Sequence, residues 1–382
     1  MELQRAIPAA PAQSVAWELT RVASFVGMRV LAWADEVLYA SRGYTLLRAQ
    51  PNAAGASWEV VARFHPAWWR TLSSSARSSS ARLTYRICRD GFHALAALAS
   101  GHLLAAVPGA IVRLVPGDTE FRVSHKILRG TRPLHITATP DGQVFWGEYF
   151  DNPDRDEVHI YASNDHGATW YVAYTFPKCA IRHVHNIVYD EWEECLWILT
   201  GDNGSECRIL RASCDFRRVD DVIFGNQQAR AVALIPARDA LYFSSDTPFE
   251  SNHIYRLDRR GLDVHGHARG SLIQLANLNS SSIYGCRVGE AMFFSTMVEP
   301  SGINPEHHVC LYGSFDGLDW RRALEWKKDR WPMRFFQYGN AFLPDGRNTT
   351  DLLAVNTIAV KDGGLETTLW RVTTDSDPRE PD

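Results

Sequence analysis

The chain has 382 residues, a formal net charge of −4, and contents of 45% hydrophobic and 22% charged residues. This is the composition of a globular protein, and the lack of a basic excess argues against nucleic acid or an anionic membrane as a partner. The seven cysteines are odd in number and show no Cys-x-x-Cys spacing, so they predict neither a disulfide framework nor a zinc site.

The first predicted element is a strand over residues 14–22, in which apolar and polar residues alternate. Two weaker units follow, beginning near Met28 and near Gly91 and separated by a serine-rich loop over residues 73–80. The apolar stretch 94–115 is broken by Gly101 and by Pro108, which indicates short strands joined by turns rather than a membrane span. We predict no membrane insertion.

The N-terminal segment carries Glu2 and Arg5 and lacks a continuous apolar core, so no secretory signal is visible. This favours a cytoplasmic location, and export by another route stays open.

From residue 134 onward one pattern recurs: an apolar strand A, a turn, a strong strand B, a polar loop and a strand C. The repeats cover residues 134–162, 185–211, 231–257, 282–312 and 335–372. Self-similarity at about 40–50 residues is typical of a β-propeller. With the two earlier units, it predicts an all-β fold, a single β-propeller of seven four-stranded blades, although a count of six stays open.

The last repeat lacks a fourth strand, because residues 373–382 form a charged, proline-containing tail that we expect to be flexible. We predict that strand 14–22 supplies the missing outer strand, so that the N-terminal strand closes the ring and leaves no open edge. Residues 1–382 then form one domain.

A turn motif of the form Ser-x-Asp-x-Gly-x-x-Trp supports this fold. It is made by Ser163, Asp165, Gly167 and Trp170, and a shorter copy follows at Ser314, Asp316, Gly317 and Trp320. Aspartate can cap backbone N–H groups in a tight turn, and glycine can adopt its positive φ. Residues 213–215 are similar to a third copy without the Gly and Trp.

The motif and the repeat pattern resemble the sialidase/BNR-repeat (Asp-box) β-propeller superfamily. That resemblance implies a carbohydrate-active enzyme, with the Asp-box residues in a structural role. Sialidases also carry an Arg-Ile-Pro element whose arginine binds the substrate carboxylate. Here Arg86 is followed by Ile87 and Cys88, so the arginine triad is not assigned to Arg86.

Propeller geometry places the B–C loops and the connections between blades on one face, and the Asp-box turns on the other. In three consecutive blades, strand B ends in an acidic residue. Strand A of the middle blade begins with two histidines. The predicted catalytic residues are Glu148, Asp202, Asp246, His183 and His185. Paired carboxylates suit glycoside hydrolysis, and a histidine could instead abstract the C5 proton of a uronic acid.

Further polar and aromatic residues on the same loops are predicted to bind substrate. They are Arg132, His135, Tyr149, Asn152, Arg182, Arg230, Glu250, Asn252, Tyr284 and Tyr338. Arginine could bind an acidic sugar through two hydrogen bonds. No cofactor is predicted: His183 and His185 lie on one strand face, as metal ligands often do, but the spacing sets no third ligand for a divalent metal.

We therefore expect a glycoside hydrolase acting on an acidic or complex glycan. A polysaccharide lyase with a histidine base and a non-catalytic propeller that binds glycan or protein are the alternatives. The expected partner is carbohydrate, and we expect a monomer.

Overall fold

The computed structural model describes residues 4–5, 16–67, 86, 90–261 and 272–374. Within these ranges the strands form seven sheets arranged as the blades of a β-propeller, and helix is nearly absent. The predicted fold class and the count of seven blades are confirmed. The predicted loop 73–80, residues 14–15 of the first predicted strand and residues 375–382 of the predicted tail lie outside the described residues.

Within each blade, consecutive antiparallel strands run from the central channel outward, and blades are numbered in chain order. Blade 1 contains β3 (Arg29–Asp35), β4 (Val37–Arg42), β5 (Thr45–Ala49) and β6 (Glu59–Arg63). Blade 2 contains β7 (Ala94–Ala97), β8 (Leu103–Val107), β9 (Ala110–Leu114) and β10 (Arg122–Lys126). Blade 3 contains β11 (Thr137–Ala138), β12 (Val144–Gly147), β13 (Val158–Ser163) and β14 (Tyr171–Phe176).

The next three blades follow the same plan. Blade 4 contains β15 (His183–Asp190), β16 (Cys195–Gly201), β17 (Arg208–Ser213) and β18 (Val219–Phe224). Blade 5 contains β19 (Ala231–Pro236), β20 (Ala240–Ser245), β21 (Asn252–Asp258) and β22 (Leu272–Leu278), with β1 (Gln4–Arg5) parallel to β22 at its edge. Blade 6 contains β23 (Ser282–Val288), β24 (Ala291–Thr296), β25 (His308–Ser314) and β26 (Arg321–Lys327).

Blade 7 joins strands from both ends of the chain. From the channel outward it contains β27 (Asn340–Phe342), β29 (Leu352–Ile358), β30 (Glu366–Thr374) and β2 (Trp17–Val26). Strand β2 pairs antiparallel with β30 from Trp17↔Thr374 to Val26↔Glu366. Since this outer strand comes from the N-terminal part of the chain, it closes the ring of blades.

Two features of blade 7 differ from the predicted strand over residues 335–343. A short helix, α1 (Met333–Phe336), occupies its start, and the strand itself covers only β27. After β27, strand β28 (Asp345–Asn348) leaves the blade and pairs parallel with the inner strand β3 of blade 1. It therefore adds a strand on the channel side of blade 1 and brings Asp345 into the channel.

The hydrophobic core lies between neighbouring sheets, as expected for strands whose two faces are both covered. One cluster joins blades 4 and 5 around Trp197, Phe243 and Tyr255. Another joins blades 2 and 3 around Trp146 and Ile111. Three short 3-10 segments, Gly204–Glu206, Gln227–Ala229 and Arg259–Gly261, lie in the connections.

The Asp-box residues form the C–D turns of blades 3 and 6. Asp165 Oδ1 accepts hydrogen bonds from Ser163 Oγ at 2.8 Å and from the Thr169 amide at 2.9 Å, and the Gly167 amide donates to Ser163 Oγ at 2.8 Å. Burial would raise the pKa of Asp165, but hydrogen bonds from Thr169 and Ser163 lower it to about 2. The Asp165 carboxylate therefore has a structural role, because it accepts hydrogen bonds within the turn.

The second and third copies share this bonding. In blade 6, the amides of Leu318 and Asp319 both donate to Asp316 Oδ1 at 2.8 Å. In blade 4, Ser213 Oγ donates to Asp215 Oδ1 at 2.6 Å in the C–D turn, although this copy lacks the glycine and the tryptophan. The serine–aspartate hydrogen bond is thus present in a turn that lacks the glycine and the tryptophan.

We expect Gly167→Ala to lower the free energy of unfolding by about 2–4 kcal/mol, which urea unfolding would measure. Gly167 has φ +77°, and an added Cβ would lie 2.4 Å from Leu104 Cδ2 of blade 2. Gly117→Ala is the matched control, because Gly117 has φ +89° in the C–D turn of blade 2 with nothing within 4 Å of an added Cβ. Equal losses in the two variants would contradict a packing role for the Asp-box glycine.

Candidate functional site

One group of the predicted site residues of blades 3–5 lies together at one end of the central channel. This channel mouth is the face formed by the B–C loops and the connections between blades. Strand β15 carries His183 and His185 there, and Asp202 follows the neighbouring strand β16. The pairing of β15 with β16 shifts register between Val184 and Asn186, a bulge of the kind that redirects side chains beside functional sites.

Both imidazoles are buried and held by backbone carbonyls. The Nδ1 atom of His183 lies 3.0 Å from Phe150 O, and that of His185 lies 2.9 Å from Ala231 O. A Cβ on Gly201 would lie 2.4 Å from Cε1 of His185. Glycine at this position therefore makes room for the His185 ring.

Asp202 is the charged centre of this group. Its Oδ2 accepts a hydrogen bond from Arg182 at 3.0 Å, and its Oδ1 lies 3.2 Å from Nη2 of Arg230 and 3.2 Å from Nε2 of His185. Burial alone would raise the pKa of Asp202, but contacts with both histidines hold it well below its ordinary value. The carboxylate stays ionised at neutral pH.

Asp246 has the opposite character. It is buried, and its Oδ2 lies 3.5 Å from Nε of Arg230 while its Oδ1 has no hydrogen-bond partner. Burial raises the pKa of Asp246 to about 8. The negative charges of Glu299 and Asp202 also raise it, whereas the positive charge of Arg230 lowers it. Burial also raises the pKa of Glu299, whose side chain accepts a hydrogen bond from Ser281.

Tyr149 covers the histidines. Its ring centroid lies 4.3 Å from that of His183 and 6.3 Å from that of His185. Burial raises the pKa of the phenol to about 12, and the charges of Asp202 and Asp246 act in the same direction. The phenol is therefore protonated at neutral pH and can donate a hydrogen bond.

A second polar group lies deeper around β28. His135 Nδ1 lies 2.9 Å from Asp345 Oδ2, and the His135 ring is 6.4 Å from that of Tyr284. Burial raises the pKa of Tyr284 to about 12, with smaller effects of Arg29, Asp345, Arg132 and Tyr149. The predicted residues His135, Tyr284 and Arg132 thus share this part of the channel.

Other predicted residues lie on the same loops but are engaged elsewhere. Glu148 pairs with Arg129 and accepts from the His159 amide at 2.8 Å, so its carboxylate joins blade 3 to the connection from blade 2. The amides of Asn152 and Asn252 bond to the backbone of their own loops. Glu250 accepts from Gln228 at 2.6 Å, and Tyr338 is exposed.

Asp151, Glu299 and Asp345 are site residues that the sequence analysis did not select. Asp151 accepts from Arg182 at 2.5 Å. The acid-ending pattern of strand B does not extend to Glu299, which follows Thr296 in the loop. No sequence signal marks Asp345, because β28 departs from the repeat.

The chain matches no protein-family model and no curated protein. Solved structures share its fold, among them the WD40 β-propeller domain of Doa1, at 10% identity and a TM-score of 0.54, covering 93% of this chain and 97% of that one. A chain of the mitotic checkpoint complex is also similar, at 9% identity and a TM-score of 0.54, and the match covers 97% of this chain and 99% of that one.

The extracellular domain of a putative one-component system from B. thetaiotaomicron is also similar, at 12% identity and a TM-score of 0.51. The match covers 95% of this chain and 42% of that one, so the chain spans less than half of that structure. These likenesses establish the propeller fold alone. Within the described residues, no helix is long and apolar enough to span a membrane.

Proposed function

We propose that this propeller is a carbohydrate-active enzyme of the sialidase-like Asp-box type that hydrolyses an acidic or complex glycan at the channel mouth. The observation that carries the proposal is the pair of carboxyl groups on either side of Arg230. Asp202 is held ionised and Asp246 is held protonated near neutral pH. Two acids whose surroundings separate their pKa values are the arrangement that glycoside hydrolysis uses.

In this scheme the protonated Asp246 is the general acid that gives its proton to the leaving glycosidic oxygen. The ionised Asp202 then activates water or stabilises positive charge on the sugar ring. Arg230 contacts both carboxyl groups, and Arg182, which is partly exposed, adds positive charge at the entrance. These cations favour a substrate that carries a carboxylate.

Exposed apolar side chains around the mouth support a glycan ligand. Phe249, Ile303, Phe335 and Tyr338 are exposed on the loops of blades 5, 6 and 7. Ser301 Oγ donates to Pro248 O at 2.8 Å and joins two of these loops. Exposed apolar and aromatic side chains near polar residues are typical of a ligand-binding surface.

The contact of Tyr149 with His183 favours elimination as a second candidate. A neutral imidazole can abstract the C5 proton of a uronic acid, and a protonated phenol can donate to the leaving oxygen. A non-catalytic glycan- or protein-binding propeller is the outcome if neither reaction occurs.

A panel of acidic and neutral polysaccharides tests the proposal. Release of reducing ends without the ultraviolet absorbance of an unsaturated product supports hydrolysis, while both signals together indicate elimination. Absence of both signals, with the protein folded, contradicts an enzymatic function.

Asp246 also makes a prediction about stability. In the unfolded chain its pKa is about 3.9, whereas in the folded protein it is about 8. Folding favours the neutral acid, so this stabilisation is complete below the unfolded pKa and is lost as the pH rises through the folded pKa.

We therefore expect the free energy of unfolding to fall between about pH 5 and pH 8, and expect Asp246→Asn to flatten this slope. Urea unfolding of both proteins measures the difference, and Arg230, Glu299 and Asp202 stay unchanged. Equal slopes would show that Asp246 is ionised in the folded protein.

A further inference from the structure

Three metal-ligating atoms converge at the inner edge of blade 4. Nε2 of His183 and Nε2 of His185 lie 3.1 Å apart. Oδ1 of Asp202 lies 3.5 Å from the first nitrogen and 3.2 Å from the second. Among the described residues, these three side chains form a group of His, Cys, Asp or Glu that could share one metal ion.

The backbone fixes which nitrogen of each imidazole carries hydrogen. The Nδ1 atoms of His183 and His185 face carbonyl oxygens at 3.0 Å and 2.9 Å. Carbonyl oxygens only accept, so Nδ1 donates in both rings, and a neutral ring then has a lone pair at Nε2. With both rings neutral, two nitrogen lone pairs and a carboxylate oxygen point at one another, an arrangement that a bound cation would stabilise.

The spacing of these atoms matches a metal ion. Zinc bonds to imidazole nitrogen and carboxylate oxygen are about 2.0–2.2 Å, so the ligand atoms of a tetrahedral site lie about 3.3–3.5 Å apart. The three observed separations of 3.1, 3.2 and 3.5 Å are close to this spacing. Nδ1–H donation to a carbonyl is also the usual support of a metal-binding histidine.

The surrounding charge sets the expected strength of binding. Arg182 and Arg230 contact the same carboxylate and oppose a divalent cation. Asp151 offsets the charge of Arg182 through its own ion pair with that side chain. We therefore expect weaker binding than at a structural zinc site, which has four protein ligands.

We propose that His183, His185 and Asp202 bind a divalent transition-metal ion, with zinc the best match, and leave one coordination position for water or substrate. Two histidines and one carboxylate are a donor set of catalytic zinc sites. The inference concerns binding, and it holds whether or not the chain cleaves glycans.

The test is a titration of the full chain with Zn²⁺ after treatment with a chelator and dialysis. We expect one equivalent to bind, and expect His183→Ala and His185→Ala each to weaken binding by at least about 100-fold. His253→Ala is the matched control, because His253 bonds to Asn277 at 3.0 Å on the edge of blade 5. Co²⁺ in place of Zn²⁺ should give the visible absorption of a tetrahedral site.

Circular dichroism and the melting temperature show whether each variant folds. If His185→Ala does not fold, His185→Gln replaces it, because glutamine fills more of the volume of the imidazole. Absence of stoichiometric binding by the folded wild-type protein overturns the proposal. So does binding that survives in the folded double histidine variant, or that is weakened equally by His253→Ala.

Discussion

Replacing Asp202 with asparagine should reduce glycan cleavage by about 10²–10⁴-fold. The amide keeps the shape of the carboxylate but removes the negative charge that Arg182, Arg230 and His185 contact. Removing one partner of a buried ion pair also costs up to about 3–5 kcal/mol of stability. The rate is therefore measured per folded protein, at a temperature where the variant is native by circular dichroism.

Asp220→Asn is the control for this prediction. Asp220 pairs with Arg218 at 2.5 Å on the outer strand β18 of the same blade, away from the channel. Its loss should leave the rate unchanged and alter stability by less than about 1 kcal/mol. If Asp202→Asn cleaves glycan as fast as the control does, the carboxylate has no part in the reaction.

Replacing Asp190 with alanine should lower the free energy of unfolding by about 3–5 kcal/mol, the largest effect we expect outside the site. Asp190 is 0% exposed and accepts two hydrogen bonds from Arg259, at 2.7 and 3.0 Å. It also accepts from Trp197 Nε1 at 2.9 Å. The substitution leaves the buried indole N–H without its acceptor and leaves the Arg259 guanidinium with only Glu193 at 2.9 Å and the Ala237 carbonyl at 2.8 Å.

Asp239→Ala is the matched comparison at the same face of the neighbouring blade. Asp239 pairs with Arg256 at 3.0 Å, but its side chain is 67% exposed. Exposed pairs contribute about 0–1 kcal/mol, so this variant should unfold near the wild-type urea concentration. Similar losses in both variants would show that burial of the Asp190 pair is not what stabilises blade 4.

The fold could be predicted from the sequence because its signals are local. The alternation in strand 14–22 identified the closing strand, and the Asp-box residues identified two C–D turns. Strand β28 could not be predicted, since it depends on pairing with β3, the inner strand of another blade, and not on a repeat. Its absence from the prediction also concealed the contact of Asp345 with His135.

The site could be predicted only in part, because a repeat pattern places a residue on a loop but does not choose its partner. Glu148 and Asp202 occupy equivalent strand ends, yet Arg129 engages the first and two histidines the second. The spacing of His183 and His185 set no third ligand for a metal, and the third ligand that we propose, Asp202, follows strand β16. The sequence places Arg182 and Arg230 on these loops but does not show that both of them contact Asp202.

The most direct test of an active site at the channel mouth compares wild-type protein with Asp246→Asn on the same polysaccharide panel. Asparagine fills the same space and cannot transfer the proton that hydrolysis requires. We predict release of reducing ends by the wild type and a loss of about 10²–10⁴-fold in the folded variant. Equal release by both proteins, or release by neither, would contradict hydrolysis at this site.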